Sequence, residues 1–209
     1  MPKSTCPLLP WIVFALLCCP GIGGDEAGFR PLFNGKDLSG WEGDTSLWKI
    51  EDQVIVGDSV GIKHNQFLVT NEEFGDFELK LEFRLKEGIG NSGVQFRTKR
   101  IPSSTEVSGY QADIGESYWG CLYDESRRNK VLASAPADFE KTLKKGDWNE
   151  YTIRAEADHI VLKMNGITTV DYKELQPEIP RKGIIALQVH SGGPLKVEFR
   201  KIRLKRLGE

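Results

Sequence analysis

The chain has 209 residues, 28 of them basic and 30 acidic, with 39% hydrophobic and 28% charged side chains. Charges of both signs are mixed along it, so nothing in the composition advertises nucleic acid as a partner. Its hydrophobic content suits one domain with a real core rather than a disordered or collagen-like chain.

The first segment predicts a secretory signal peptide over residues 1–24. Lys3 supplies a small positive n-region, and the apolar run from Leu8 to Cys19 is too short for the roughly 20 residues that cross a bilayer. It therefore reads as a leader, not a transmembrane anchor. Gly21 and Gly23 are small residues two apart, which places cleavage near Gly23 or Gly24 and the product in a secreted or periplasmic location. Leu17 before Cys18 is larger than a lipoprotein signal normally allows, which disfavours lipidation of Cys18 or Cys19. Loss of the leader removes Lys3, leaving 27 basic against 30 acidic residues, and it removes three of the four cysteines. Cys121 alone remains, so an intrachain disulfide is ruled out for the mature chain. Residues 25–209 then read as a single domain.

That domain reads as strands. Phe77, Leu79, Leu81, Phe83 and Leu85 alternate with charged residues, a period of two that buries one face. A short helix fits only Ala137 to Lys144. Trp148 to Ala155 and Gly183 to His190 alternate in the same way. Between them, His159 to Met164 and Ile167 to Val170 flank Asn165-Gly166, a strong signal for a two-residue hairpin turn. In the last strand the apolar residues change phase, from Leu195, Val197 and Phe199 to Ile202 and Leu204. A bulge near Arg200-Lys201 would restore one buried face. Alternating apolar and basic residues there also read as the solvated side of a strand. Many short strands and glycine turns predict an all-β, two-sheet antiparallel β-sandwich.

Within three strands, polar residues sit at i and i+2. Gln95 and Arg97 lie opposite Val94 and Phe96, Gln111 and Asp113 lie opposite Tyr110, Ala112 and Ile114, and Gln188 and His190 lie opposite Leu187 and Val189. Such pairs point either to bulk solvent or into a groove, and spacing alone leaves both readings open. Amides, guanidinium, carboxylate and imidazole offer the donors and acceptors that sugar hydroxyls need, while Trp119, Tyr118 and Tyr123 could stack on a pyranose ring.

The stretches Leu32-Phe33-Asn34-Gly35-Lys36-Asp37-Leu38-Ser39-Gly40-Trp41, Asn91-Ser92-Gly93-Val94-Gln95-Phe96-Arg97, Gly109-Tyr110-Gln111-Ala112-Asp113 and Gly183 to His190 followed by Phe199-Arg200 resemble the 3-keto-disaccharide hydrolase domain family. The resemblance runs in order through nearly all of residues 25–209. It implies a concanavalin A-like jelly roll acting on glycosides whose C3 hydroxyl a partner oxidoreductase has oxidised to a ketone. The ketone acidifies the C2 proton and places the C1 oxygen in the β position, so a modest base can drive elimination and water then adds.

On that resemblance His190 is the first choice of base or metal ligand and Asp113 the second, with Tyr123 as proton donor. Gln95, Arg97, Gln111 and Gln188 would bind hydroxyls or polarise the ketone, and Trp119 would line the sugar site. A divalent metal would have to be collected from separate strands, with His190 and Asp113 as ligands. The sequence departs from the Glu-x-Gln-x-x-Asp arrangement of many members at Gln111-Ala112-Asp113, and adds Trp119 to Arg128, a segment that would alter which aglycone fits. Two alternatives share the fold class: a non-catalytic carbohydrate-binding module, and a conventional glycosidase pairing Asp113 with Glu116 or Glu82. Cys121 reads as a packed thiol, and His64 and His159 as surface residues.

Overall fold

The computed structural model describes residues 27–208, so the proposed leader lies outside the described residues. Two antiparallel sheets face each other across one core. The first contains β1 (Arg30–Pro31), β3 (Trp48–Glu51), β4 (Val54–Ser59), β6 (Phe77–Leu85), β11 (Asn149–Glu156), β12 (His159–Met164), β13 (Ile167–Lys173) and β15 (Leu195–Arg206). Its strand order is β13-β12-β11-β6-β15-β4-β3, with β1 also paired to β15. The second contains β2 (Trp41–Glu42), β5 (Gln66–Thr70), β7 (Asn91–Arg100), β8 (Val107–Gly115), β9 (Leu122–Glu125), β10 (Lys130–Ala133) and β14 (Ile184–Val189), in the order β10-β9-β8-β7-β14-β5-β2. Between β10 and β11 the expected short helix is a single 3₁₀ turn, Phe139–Thr142. Among the described residues no helix is long and apolar enough to cross a membrane.

The local sequence explains these strands. Phe77, Leu79, Leu81, Phe83 and Leu85 are all buried while the residues between them are half-exposed, the pattern of a strand with one wet face. Asn165 and Gly166 take φ of 51° and 80°, the left-handed pair that a type I′ hairpin turn requires. In β15 the register slips between Arg200 and Arg203, with Lys201 at φ 52°. The slip turns Ile202 and Leu204 onto the face of Leu195, Val197 and Phe199, and all five are buried.

The inner face of the second sheet contributes Val94, Phe96, Tyr110, Ala112, Ile114, Leu122, Ile185, Leu187 and Val189 to the core. Its outer face divides in two. One end is apolar, where Phe67, Val69, Val107, Ile184 and Ala186 form a separate cluster. The other end carries Asn91, Gln95, Gln111, Asp113 and Gln188.

The sheets are also tied by charge. Arg128, in the β9–β10 turn, bridges the fully buried Asp124 of β9 to Glu174, which follows β13. Glu174 accepts from the Tyr110 hydroxyl at 2.7 Å as well, and Arg127 packs over the Tyr110 ring. The added segment from Trp119 to Arg128 is therefore partly an internal clasp.

Candidate active site

Strand register assembles the polar end of the outer face. In β7, Gly93 pairs with Asp113 of β8, and Leu187 of β14 pairs with Val94. Gln188, Gly93 and Asp113 therefore form one row across three strands. One step along, Gln95 pairs with Gln111, which pairs with Tyr123 of β9. Gly93 has no side chain, and the space is taken: a Cβ there would sit 2.5 Å from Gln111 Cδ. Gln111 lies over the glycine and reaches its neighbour.

The amides then form a directed chain. The Thr98 hydroxyl lies 3.1 Å from Gln95 Oε1, Gln95 Nε2 donates to Gln111 Oε1 at 2.7 Å, and Gln111 Nε2 donates to Asp113 Oδ1 at 2.8 Å. Asp113 Oδ2 is buried and has no protein partner. Burial pushes the Asp113 carboxyl up from 3.8 to about 8; the Gln111 hydrogen bond opposes this and the charge of Glu125 adds to it. With Oδ1 engaged as an acceptor, the proton of the neutral acid resides on Oδ2. The backbone of Asp113 is fixed by bonds to Cys121 and Gly120 and by the Tyr151 hydroxyl.

A pocket of about 180 Å³ opens over this carboxyl, lined by Asn65, Asn91, Gln111, Asp113, Tyr118, Tyr123, Glu125 and His190. That is below the roughly 300–1,000 Å³ of drug-sized clefts, which suits one sugar ring better than a long chain. His190 is half-buried, with Nδ1 2.7 Å from the Ser191 carbonyl. That contact places the proton on Nδ1 and leaves the Nε2 lone pair for other work. Asn65 holds this wall in place: its Oδ1 accepts from Ser191 N at 2.8 Å, and its own N–H groups reach Glu106 at 3.2 Å. Tyr118 is 41% exposed and meets Tyr123 edge-on at 6.4 Å. Burial is the main cause raising both the Tyr123 phenol and the Glu125 carboxyl above their ordinary ranges.

Of the residues singled out from sequence, His190, Asp113, Tyr123 and Gln111 meet in this pocket. Gln95 and Gln188 lie beneath or beside it, both fully buried, and neither amide atom of Gln188 has a partner. Arg97 does not join them. It takes φ 47° at a register slip between Phe96 and Lys99, and its guanidinium is bound by the Gly75 and Ala157 carbonyls and Asp76, at 2.7–3.1 Å. The left-handed backbone turns this side chain out of the Gln95 row and onto the edge of the opposite sheet. Trp119 is also displaced from its expected role: it is buried and stacked against Phe83 at 6.4 Å, inside the core.

Glu82, a suggested partner of Asp113, belongs to the other sheet and is bound by Arg200 and Lys201. Burial raises the Cys121 thiol, which agrees with a packed, unreactive side chain. His190 and Asp113 share the pocket, yet among the described residues no group of three or more His, Cys, Asp or Glu is gathered to hold a metal. Asn65, Asn91 and Glu125 were not singled out from sequence. Tyr123 and Glu125 repeat the polar i, i+2 pattern and could have been found by it.

A family model described as a 3-keto-alpha-glucoside-1,2-lyase-like domain matches residues 28–205. A 3-keto-disaccharide hydrolase of Bacteroides thetaiotaomicron is 24% identical over 173 residues, covering 71% of this chain and 59% of that protein. The chain thus spans less than two thirds of that relative's length. Among solved structures, a candidate glycosyl hydrolase from Parabacteroides distasonis is 21% identical, with TM-score 0.64 over 86% of this chain and 94% of that one. The carbohydrate binding module CBM66 of Bacillus subtilis is 15% identical, with TM-score 0.61 over 79% and 95%. At these identities the two structures speak for the fold alone.

Proposed function

Because the chain belongs to the 3-keto-alpha-glucoside-1,2-lyase-like domain family, we propose that this pocket cleaves 3-keto-glycosides by elimination at C1 followed by hydration. The observation that carries the reading is one pocket holding an imidazole with a free Nε2 and a carboxyl kept neutral on Oδ2. An acid with its proton lost only at about 8 is about nine-tenths protonated at pH 7.

His190 Nε2 removes the C2 proton, and the electron pair moves toward the C3 carbonyl, whose oxygen becomes an enolate. Asp113 Oδ2–H donates to that oxygen, a task suited to a carboxylic acid in a dry site. Collapse of the enolate forms the C1–C2 double bond and breaks the C1–O bond, with the Tyr123 hydroxyl giving its proton to the departing oxygen. Water then adds across the double bond: its hydroxide goes to C1 while its proton restores Tyr123, and His190 returns its proton to C2. The sum is a 3-keto sugar plus the free alcohol. An oxidoreductase acting earlier supplies the C3 ketone, and the proposed leader places the reaction in a secreted or periplasmic setting.

The test is incubation of the pure protein with a 3-keto-glucoside and with its unoxidised parent, with and without chelator. Cleavage of the first only, and a fall of about 10²-fold or more in His190→Ala, is expected. An undiminished rate in His190→Ala would remove the histidine from the role of base. The half-exposed Tyr118 beside Tyr123 favours a second reading, a sugar-binding module. Affinity for sugars without turnover of any 3-keto substrate would select it.

A further inference from the structure

Gln111 touches both the buried amide layer and the carboxyl of the pocket. It accepts from Gln95 Nε2 at 2.7 Å and donates to Asp113 Oδ1 at 2.8 Å, and it can do so only because Gly93 leaves the ground beneath it vacant. A methyl group on Gly93 would stand 2.5–2.9 Å from three atoms of the Gln111 side chain, nearer than packed carbons come. Gln95 is fully buried, so the accepting end of Gln111 is held in a fixed direction as well.

We infer that Gln111 is a positioning residue, seated in the gap at Gly93 and aimed by Gln95, that occupies Asp113 Oδ1 and leaves Oδ2 as the carboxyl atom available for chemistry. This rests on the reading of Asp113 as the proton-bearing acid of the site, and changes the role of Gln111 from binding sugar hydroxyls to directing that acid. A glutamine whose donor and acceptor ends are both engaged has little left to offer a substrate. Gly93 and Gln95 act through Gln111, so their effects are conditional on it.

The experiment follows the Asp113 carboxyl directly by carbon NMR in protein labelled at aspartate, with Asp113→Asn assigning the signal. No substrate is needed, so the outcome is separate from whether 3-keto-glycosides are turned over. In wild type the carboxyl should titrate near 8. Gln111→Leu removes a hydrogen bond that favours the carboxylate, so the midpoint should rise by about one to two pH units. Gly93→Ala should move it in the same direction. In the Gly93→Ala/Gln111→Leu double variant the glycine change should add nothing.

With an active substrate, Gln111→Leu should lower kcat at least ten-fold while KM moves less than about three-fold, the split expected when a transition-state group is misaligned. An unmoved midpoint in Gln111→Leu overturns the inference. So does a Gly93→Ala effect that persists undiminished in the Gln111→Leu background. If Gly93→Ala does not fold, Gln95→Leu replaces it in the same cycle, because it frees the accepting end of Gln111 without touching Asp113. A shifted titration with no turnover would overturn the proposed function alone.

Discussion

Replacing Asp113 by Asn should stabilise the protein while destroying the proposed acid. The carboxyl is raised from 3.8 to about 8 in the folded state, chiefly by burial. A raised carboxyl favours the fold while it stays neutral. That contribution is complete below pH about 4, where the unfolded chain is protonated too, and it is lost as pH climbs through about 8. Each pH unit inside the window costs about 1.4 kcal/mol, so wild type should fall behind Asp113→Asn by ~4 kcal/mol between pH 5 and 8. Above 8 the gap should level off. This is an upper limit, since water in the pocket can solvate Oδ2. Asn keeps the acceptor that Gln111 uses and carries no charge to desolvate. Urea titrations of both proteins at pH 5, 6, 7, 8 and 9 supply the test. A stability difference that stays flat across that range would mean that Asp113 ionises like an exposed carboxylate, and the mechanism would lose its neutral acid.

Two further outcomes separate packing from chemistry. Leu187→Ala, at a fully buried core position of β14, should cost about 2–5 kcal/mol in denaturant titration; a loss below about 0.5 kcal/mol would put Leu187 on the wrong face. Arg97→Met removes the bonds to Gly75, Asp76 and Ala157 and leaves those acceptors unmet, so it should cost on the order of 3 kcal/mol. Its kcat/KM per folded molecule should stay within about three-fold of wild type, and a large selective loss of activity would return Arg97 to the site.

What could be read from sequence was what is encoded locally. Alternation in β6 and β11 reports its own buried face, and the two apolar phases of β15 announce the bulge that joins them. The Asn165-Gly166 turn specifies its hairpin by the φ values it tolerates. The two-sheet jelly roll and the family followed from such segments together. The site was legible only where strand parity held, as for Gln111 and Asp113. One left-handed residue at Arg97 broke the parity without any mark in the sequence. Trp119 was misread because its environment is set across the core by Phe83, 36 positions earlier, and Glu82 because nothing local says which sheet a strand joins. Asn65 lies between strands, and its place depends on Glu106 and Ser191, 41 and 126 residues away. No periodicity reports such contacts.

The last two strands of the chain are central rather than peripheral: β14 lies between β7 and β5, and β15 between β6 and β4. Until they are synthesised, each sheet is in separate pieces with raw edges, and the pairing that closes them joins segments over a hundred residues apart, as for Ala186 with Val69 and Phe199 with Ile55. Folding must therefore wait for the end of translation and proceed slowly, as high contact order dictates. The same arrangement makes any nonsense change before codon 184 a source of exposed strand edges rather than of a smaller working domain.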